Sequence, residues 1–434
     1  MLQNLLYEKN NYLTLLFWVA LGVFAGPLVY ALVPLHMFII QKKGEWLWLL
    51  LGFWLILTLS DSRKIMFSFA ETIKPLVLIT LAFLLYTNTN HPKSSFYKPF
   101  IPFFIIAFYS LVESPRLTTG FQKTLSYLIF LATIPGIVNL LINDQRDRFL
   151  THLVYLGTIL LGVGLVLRVI NPGFVLFAGE RYSGLLGNPN AIGIYGFVFL
   201  ALFTTIKHYH QQLFSNKETI IIYSIIALSQ IFAGSRGGIF ACLIFMLAWV
   251  LFRKSAVMAF ISMTVIFFSS TLVMNNFVEV VTYLGLTDYF RLETLETGSG
   301  RIYVTELAWQ YIHQNFWFSK GFAYNEHILS IHQLSLASKG HVGNFHNSWL
   351  TIWIDTGLIG LLLFSIGWIT NFIKASRYSN MIWALFFGML ISVSVESWLI
   401  ASLNPFTIVA VIILTMMSNP NFYAYNENEF IEQD

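Results

Sequence analysis

Long apolar runs follow one another along almost the whole chain, and they constrain the fold more than any motif. A spanning helix needs roughly 17–25 predominantly apolar residues. Runs of that kind start near Leu13, Trp46, Ala70, Phe100, Leu125, Leu150, Ala191, Ile220, Gly238, Val257, Asn347, Met381 and Phe406. Charge is correspondingly scarce: of 434 residues, 56% are hydrophobic and 11% charged, where a soluble chain carries about a quarter charged residues. The pattern predicts an all-α polytopic membrane protein of about 12–14 transmembrane helices. The run from Leu13 to Ile40 reads as one tilted span with an interfacial turn, broken at Pro27 and Pro34.

The whole chain, 1–434, reads as a single bundle, since helices in a bilayer do not divide by length into soluble domains. The N-terminus lacks the basic region and small-residue cleavage site of a signal peptide, so its apolar run is expected to stay. A single cysteine, Cys242, lies in an apolar run, which leaves no disulfide framework or thiolate metal site. No HExxH or paired Cys/His spacing is present, and neither a metal nor a cofactor is expected. The net charge of +4 gives no reason to expect nucleic acid.

Placement of the charges says more than their sum. Lys207 and Lys217, then Arg253 and Lys254, then Lys374 and Arg377 fall in alternate loops. An excess of Lys and Arg marks cytoplasmic loops, so these define one side. The other side receives the segment around Arg181, the Ser235-Arg236 turn, and a long loop over residues 275–346. Arg63, Lys64, Arg116 and Lys123 fall on the side that the rule leaves poor. A loop beyond about 12–15 residues usually has structure or function of its own. In this one Ile302, Tyr303, Leu307, Ala308 or Trp309, and Tyr311 or Ile312 predict an amphipathic helix lying on the membrane surface or over a cavity.

Four features of this side could carry chemistry. Arg181 precedes a turn, Gly184 to Asn190, rich in Gly, Asn and Pro, whose backbone N–H groups and helix start suit an anion. Arg236 stands between two spans in SRGG, where a fixed charge is costly and a planar fork matches phosphate oxygens. Arg301 opens the loop helix at the wrong end for its dipole, which points to a negative partner. His346, in Phe345-His346-Asn347-Ser348, enters a span, and histidine is the side chain most often used as a general base. Half of the ten histidines lie between Asn275 and His346, and His313, His327, His332 and His341 read most simply as solvated. Asp355 and Glu396 are ionisable residues inside spans, hence candidate supporting groups together with Asn347.

These stretches resemble the O-antigen ligase and O-antigen polymerase (Wzy/WaaL) superfamily. The residues that carry the resemblance are RYSGLLGNPNAIGIYGF, SRGG opening a span, SGRIYVTELAWQYI and HNSWLTIWIDTGLIGLLLF, in that order, covering Arg181 to Leu363. The resemblance implies a GT-C-like enzyme in the bacterial plasma (inner) membrane, its active site facing the periplasm or exterior. Such an enzyme moves a glycan from an undecaprenyl-diphosphate carrier to a hydroxyl on a glycan or lipid acceptor, without cofactor or metal and with inversion. By the same likeness Arg181, Arg236 and Arg301 bind the diphosphate and His346 is the catalytic base. Membrane lipids, a chain-length regulator and a flippase are the implied partners, with polymerase ahead of ligase. The loop departs from the family pattern at NFWFSKGF, which has no proline. A glycolipid transporter or flippase and a membrane O-acyltransferase are the alternatives. The first would want polar residues along both halves of a path, and the second a thioester-binding face on the basic side.

Overall fold

The computed structural model describes residues 2–87, 94–178, 181–283, 285, 301–339 and 343–424. Short α1 (Leu2–Tyr7) and α2 (Lys9–Phe24) are followed by a turn at Gly26–Leu28 and by α3 (Val29–Lys42). Glu8 before α2 and Glu45 after α3 both pair with Arg148, at 2.7 and 2.9 Å. The two helices therefore run out and back as a hairpin, which corrects the single tilted span expected from Leu13 to Ile40. Gly26, at φ +55, and Pro27 reverse the chain, and Trp18 Nε1 donates to His36 Nδ1 across the hairpin at 3.1 Å.

Helix α4 (Trp46–Leu59) is buried at every residue, the signature of an all-round apolar helix inside a bundle. Next come α5 (Ser68–Thr87), α6 (Ile101–Tyr109) and α7 (Leu117–Ile170). Helix α7 is interrupted at Gln145, with φ −151 and ψ 47, so it is two helices end to end, as the separate starts near Leu125 and Leu150 anticipate. Short α8 (Pro172–Val175) leads into an antiparallel ribbon of β1 (Leu176–Phe177) and β2 (Arg181–Tyr182). Helices α9 (Pro189–Tyr209), α10 (Asn216–Ala233), α11 (Arg236–Lys254) and α12 (Ala256–Tyr283) follow. The loop contributes α13 (Arg301–Gln314), α14 (Tyr324–Ile331) and α15 (Gln333–Ser338), and the chain closes with α16 (Ser348–Ser376), α17 (Ile382–Val395) and α18 (Pro405–Met417).

Among the described residues, five helical stretches are long and apolar enough to cross a membrane: Ile65–Thr87, Leu117–Ile170, Pro189–Tyr209, Arg236–Lys254 and Ser348–Ser376. Shorter apolar helices, such as α4, α17 and α18, pack among them. The protein is an all-α polytopic membrane protein, and each expected span start lies in a helix or at its boundary.

Two ends of the bundle differ in charge and in what they hold. Lys207, Arg253, Lys254 and Lys374 lie in last turns of α9, α11 and α16. The turns that precede α9, α11 and α16 make the other end. The four cations that the charge rule left unexplained are used there as fasteners. Lys123 pairs with Glu326 of α14, and Arg116 Nη2 donates to Ser330 Oγ at 2.9 Å. Arg63 forks onto Asp61 at 2.7 and 2.5 Å, and Lys64 Nζ donates to the Phe174 carbonyl. Burial holds the Lys64 ammonium below the ordinary lysine range, with Asp61 opposing the shift.

The described part of the long loop has an apolar core of its own. Val304, Ala308 and Ile312 are the buried stripe of α13, at i, i+4 and i+8, and they meet Tyr324, Ile328, Leu336, Phe345 and Ile354. Tyr303 and Trp309 face outward. The helix thus packs on loop and span residues, with Ala308 and Ile312 of the expected apolar side buried and Leu307 packed against them. Loop residues 291–300, with Arg291, Glu293 and Glu296, lie outside the described residues, as do Asp288 and His341.

A break in α16 receives this loop. Gly357 sits at φ +75, and the freed N–H groups of Leu358 and Ile359 donate to Phe316 O and Trp317 O at 2.9 and 3.3 Å. In return Gly321 N–H donates to Asp355 O at 2.6 Å, and Ser319 Oγ to Ile354 O at 2.5 Å. Asp355 is wholly buried and accepts from Asn325 N and Nδ2 at 2.8 and 2.7 Å. A side chain at Gly357 would meet Trp317 O at 2.3 Å as well as an unfavourable φ. Gly357→Ala is expected to cost about 1–3 kcal/mol, read as a lower Tm of the purified protein; an unchanged Tm would contradict this account of the break.

Candidate functional site

Three chain reversals meet at the end of the bundle opposite the basic one. The first opens α9: Asn188 caps the helix, its side chain accepting from Asn190 N at 2.9 Å, and Pro189 occupies the first turn, where a missing N–H costs nothing. The second joins α10 to α11. Gly234 ends α10 at φ +55, a left-handed position that suits glycine, and Ser235 caps α11 so that Arg236 is its first residue. The third joins α17 to α18 through Glu396, whose extended backbone ends α17.

Glycines let these turns approach closely. A Cβ on Gly193 would lie 2.3 Å from Ser235 Oγ, and one on Gly238 would lie 2.4 Å from Gly193 Cα. Gln230 Nε2 donates to Gly193 O at 2.8 Å across the same contact. On the other side of the turn, a Cβ on Gly237 would lie 2.6 Å from Val395 Cγ2. Arg236 is therefore carried on a turn wedged between the start of α9 and the residue before Glu396.

His346 stands immediately before α16. Its backbone is left-handed at φ +47, an arrangement His tolerates better than most residues but at a cost of about 1–3 kcal/mol. Asn344 Oδ1 accepts from His346 N at 2.9 Å and fixes the turn. The ring Nδ1 lies 3.0 Å from Glu396 Oε2, and the side chains are 19% and 14% exposed, sheltered but reachable. Glu396 Oε1 in turn accepts from Asn190 Nδ2 at 2.8 Å. Its carbonyl accepts from Ser348 Oγ at 2.9 Å. With the carboxylate as acceptor, Nδ1 carries the proton and Nε2 the lone pair, the tautomer that a base needs.

The other residues singled out in the sequence occupy definite places. Asn347 caps α16, accepting from Trp349 N and Leu350 N at 2.9 and 3.1 Å. Arg181 Nη2 donates to Ala233 O and Gly234 O at 2.9 and 3.2 Å, and Nε to Ala233 O at 3.3 Å. It thereby satisfies carbonyls at the end of α10 and braces the turn that carries Arg236. Arg301 opens α13; its side chain lies outside the described residues. Asp355 is not in the His346–Glu396 cluster, because its carboxylate is occupied by Asn325. Asn190 belongs to the cluster although the sequence marked it only as part of a turn. An Asn just inside a span, after an Asn-Pro cap, was the available signal.

No group of three or more His, Cys, Asp or Glu is placed to hold a metal ion among the described residues. A cavity of about 740 Å³ lies away from this cluster, between α2, α4 and α7. It is lined by apolar residues such as Leu13, Leu16, Leu55 and Leu160, and ends at Phe174 and Leu185, on either side of the ribbon that carries Arg181.

A family model described as O-Antigen ligase matches residues 220–365. That span runs from α10 into α16 and includes Arg236, Arg301, His346 and Asp355. The match supports the O-antigen ligase/polymerase superfamily and its general activity, and it does not reach Arg181, Asn190 or Glu396. No curated protein matches the chain.

Removal of the Arg181 fork exposes the end of α10. Arg181→Ala leaves the Ala233 and Gly234 carbonyls to find other donors, and hydrogen bonds to a charged group contribute about 1.5–3 kcal/mol. A lower Tm is expected, with Arg181→Lys recovering part of it, since an ammonium reaches the carbonyls without the planar fork. Equal Tm values for all three proteins would refute the bracing role.

Proposed function

With residues 220–365 matched by the O-antigen ligase model, we propose that this protein transfers a glycan from an undecaprenyl-diphosphate carrier to an acceptor hydroxyl. The reaction belongs at the outer face of a bacterial plasma membrane. The observation that carries this reading is the His346 Nδ1–Glu396 Oε2 pair at 3.0 Å, held beside the Arg236 turn. A sugar hydroxyl is a poor nucleophile at neutral pH, and diphosphate on a lipid is already a good leaving group. The site therefore has to activate the first and neutralise the second.

In this reading His346 Nε2 takes the proton of the acceptor hydroxyl as its oxygen attacks the anomeric carbon. The bond from that carbon to the diphosphate oxygen breaks from the opposite face, so the centre inverts. The electron pair leaves on the diphosphate, whose growing charge meets Arg236 at the start of α11, where the helix dipole also favours an anion. Arg301 at the start of α13 supplies a second cation, and Arg181 acts by holding the Arg236 turn and adding positive field. Glu396 orients the imidazole and stabilises the imidazolium, and Asn190 fixes Glu396. The apolar cavity that ends beside the Arg181 ribbon suits the hydrocarbon of the carrier.

The acceptor is a second carrier-linked repeat for a polymerase or a lipid-anchored core sugar for a ligase. The glycan that accumulates in a deletion strain distinguishes them: unpolymerised repeats on the carrier mark a polymerase, full-length carrier-linked chains a ligase. His346→Ala is expected to lower the transfer rate on the order of 10²–10⁴-fold. Glu396→Gln should lower it less, because the ring keeps a hydrogen-bonding neighbour. Arg236→Lys tests the planar fork. Full activity of His346→Ala would remove the general-base role, and full activity of Arg236→Lys would remove bidentate phosphate binding.

A further inference from the structure

The basic end of the bundle holds a second polar cavity, remote from the site described above. Helix α16 begins beside His346 and has 29 residues, which at ~1.5 Å per residue sets its ends on the order of 40 Å apart. At its far end a cavity of about 320 Å³ is lined by Ser94, Asn139, Lys374, Arg377, Thr415 and Ser418 among others. Its walls come from α7, α16, the end of α18 and the segment before α6. Lys374 and Arg377 are three residues apart and share a helix face. Among the described residues no carboxylate lines the cavity, and neither cation makes an ion pair with a described carboxylate. Lys98 adds a third positive charge close enough to act on Lys374.

The opposite wall is polar and fixed in place. Asn139 Oδ1 accepts from Asn419 Nδ2 at 3.0 Å, which commits its oxygen and leaves its NH₂ to other partners. Thr415 and Ser418 hydroxyls donate to Val411 O and Leu414 O, each at 2.7 Å. Tyr378 is stacked on Tyr423, centroids 5.8 Å apart and planes at 18°. Cations at a helix C-terminus complement the dipole and snorkel at a membrane surface, and that alone would explain the two charges. It does not explain a concave, polar cavity facing them.

We propose that this cavity binds a phosphate group, with Lys374 and Arg377 as its charge partners and the Asn139 amide as a further donor. Basic pockets between membrane helices at the cytoplasmic surface take anionic headgroups, and an arginine fork matches phosphate oxygens. The phosphate comes from an anionic phospholipid headgroup at that depth or from the free anion.

The test is the Tm of the purified full-length chain in neutral detergent, titrated with dihexanoyl phosphatidylglycerol and separately with inorganic phosphate. Binding to the native state raises Tm with ligand concentration. The expected result is a saturable rise with the short-chain lipid, its midpoint weakened about tenfold or more in K374Q/R377Q. A rise with inorganic phosphate that the same variant abolishes supports the site and identifies the free anion as its source. No rise with either probe, or an undiminished rise in K374Q/R377Q, overturns the proposal. If the double variant does not fold, Arg377→Gln, at an exposed position, carries the test, and an unchanged midpoint there overturns it equally.

Discussion

One carboxylate holds the site together. Glu396 ends α17 and joins three segments that are far apart in sequence: its two oxygens meet His346 and Asn190, and its carbonyl meets Ser348. A charged group at a membrane helix end is costly unless it is hydrogen-bonded, so the same bonds that stabilise it fix the relative positions of α9, α16 and α17. The glycine contacts around Gly193, Gly237 and Gly238 bring the Arg236 turn against this hub. Arg236, His346 and Glu396 are then carried on adjoining turns.

The loop is attached by a second buried carboxylate. Asp355 lies inside α16 next to the break at Gly357, and the break exposes backbone groups that only the loop satisfies. Within an apolar surround each unmet N–H or C=O costs several kcal/mol, which makes the exchange of bonds between residues 316–325 and 354–359 mutual. Cations on the charge-poor end, Arg116 and Lys123, fasten α14 from the other side. For these two cations the apparent violation of charge asymmetry is thus a consequence of loop attachment.

Hydropathy alone determined that the chain is a helical membrane bundle, since only residues with satisfied backbones can cross the bilayer and helices do so locally. Turn chemistry around Asn188, Ser235 and Asn347 was equally legible, because caps and glycines act over a few residues. The sequence also singled out Arg236, His346 and Glu396, each a polar residue at the end of an apolar run. Pairing was not legible. Asp355 and Glu396 look alike as ionisable residues in apolar surroundings, yet Asn325 claims one and His346 the other. The Leu13–Ile40 run hid a hairpin, because its hydropathy continues through a reversal at Gly26.

Sequence, then, determined the helices, their caps and the residue types at their ends, all of which follow from interactions within a turn or two of chain. Tertiary structure alone decided which ends meet: that Asn190, from outside the matched family segment, completes the His346–Glu396 pair, and that Arg181 spends its fork on the α10 carbonyls. The physical reason is range. A carboxylate or guanidinium takes whichever partner the packing of distant helices presents, and contacts between distant helices are set by glycine approach and backbone breaks that no local pattern records.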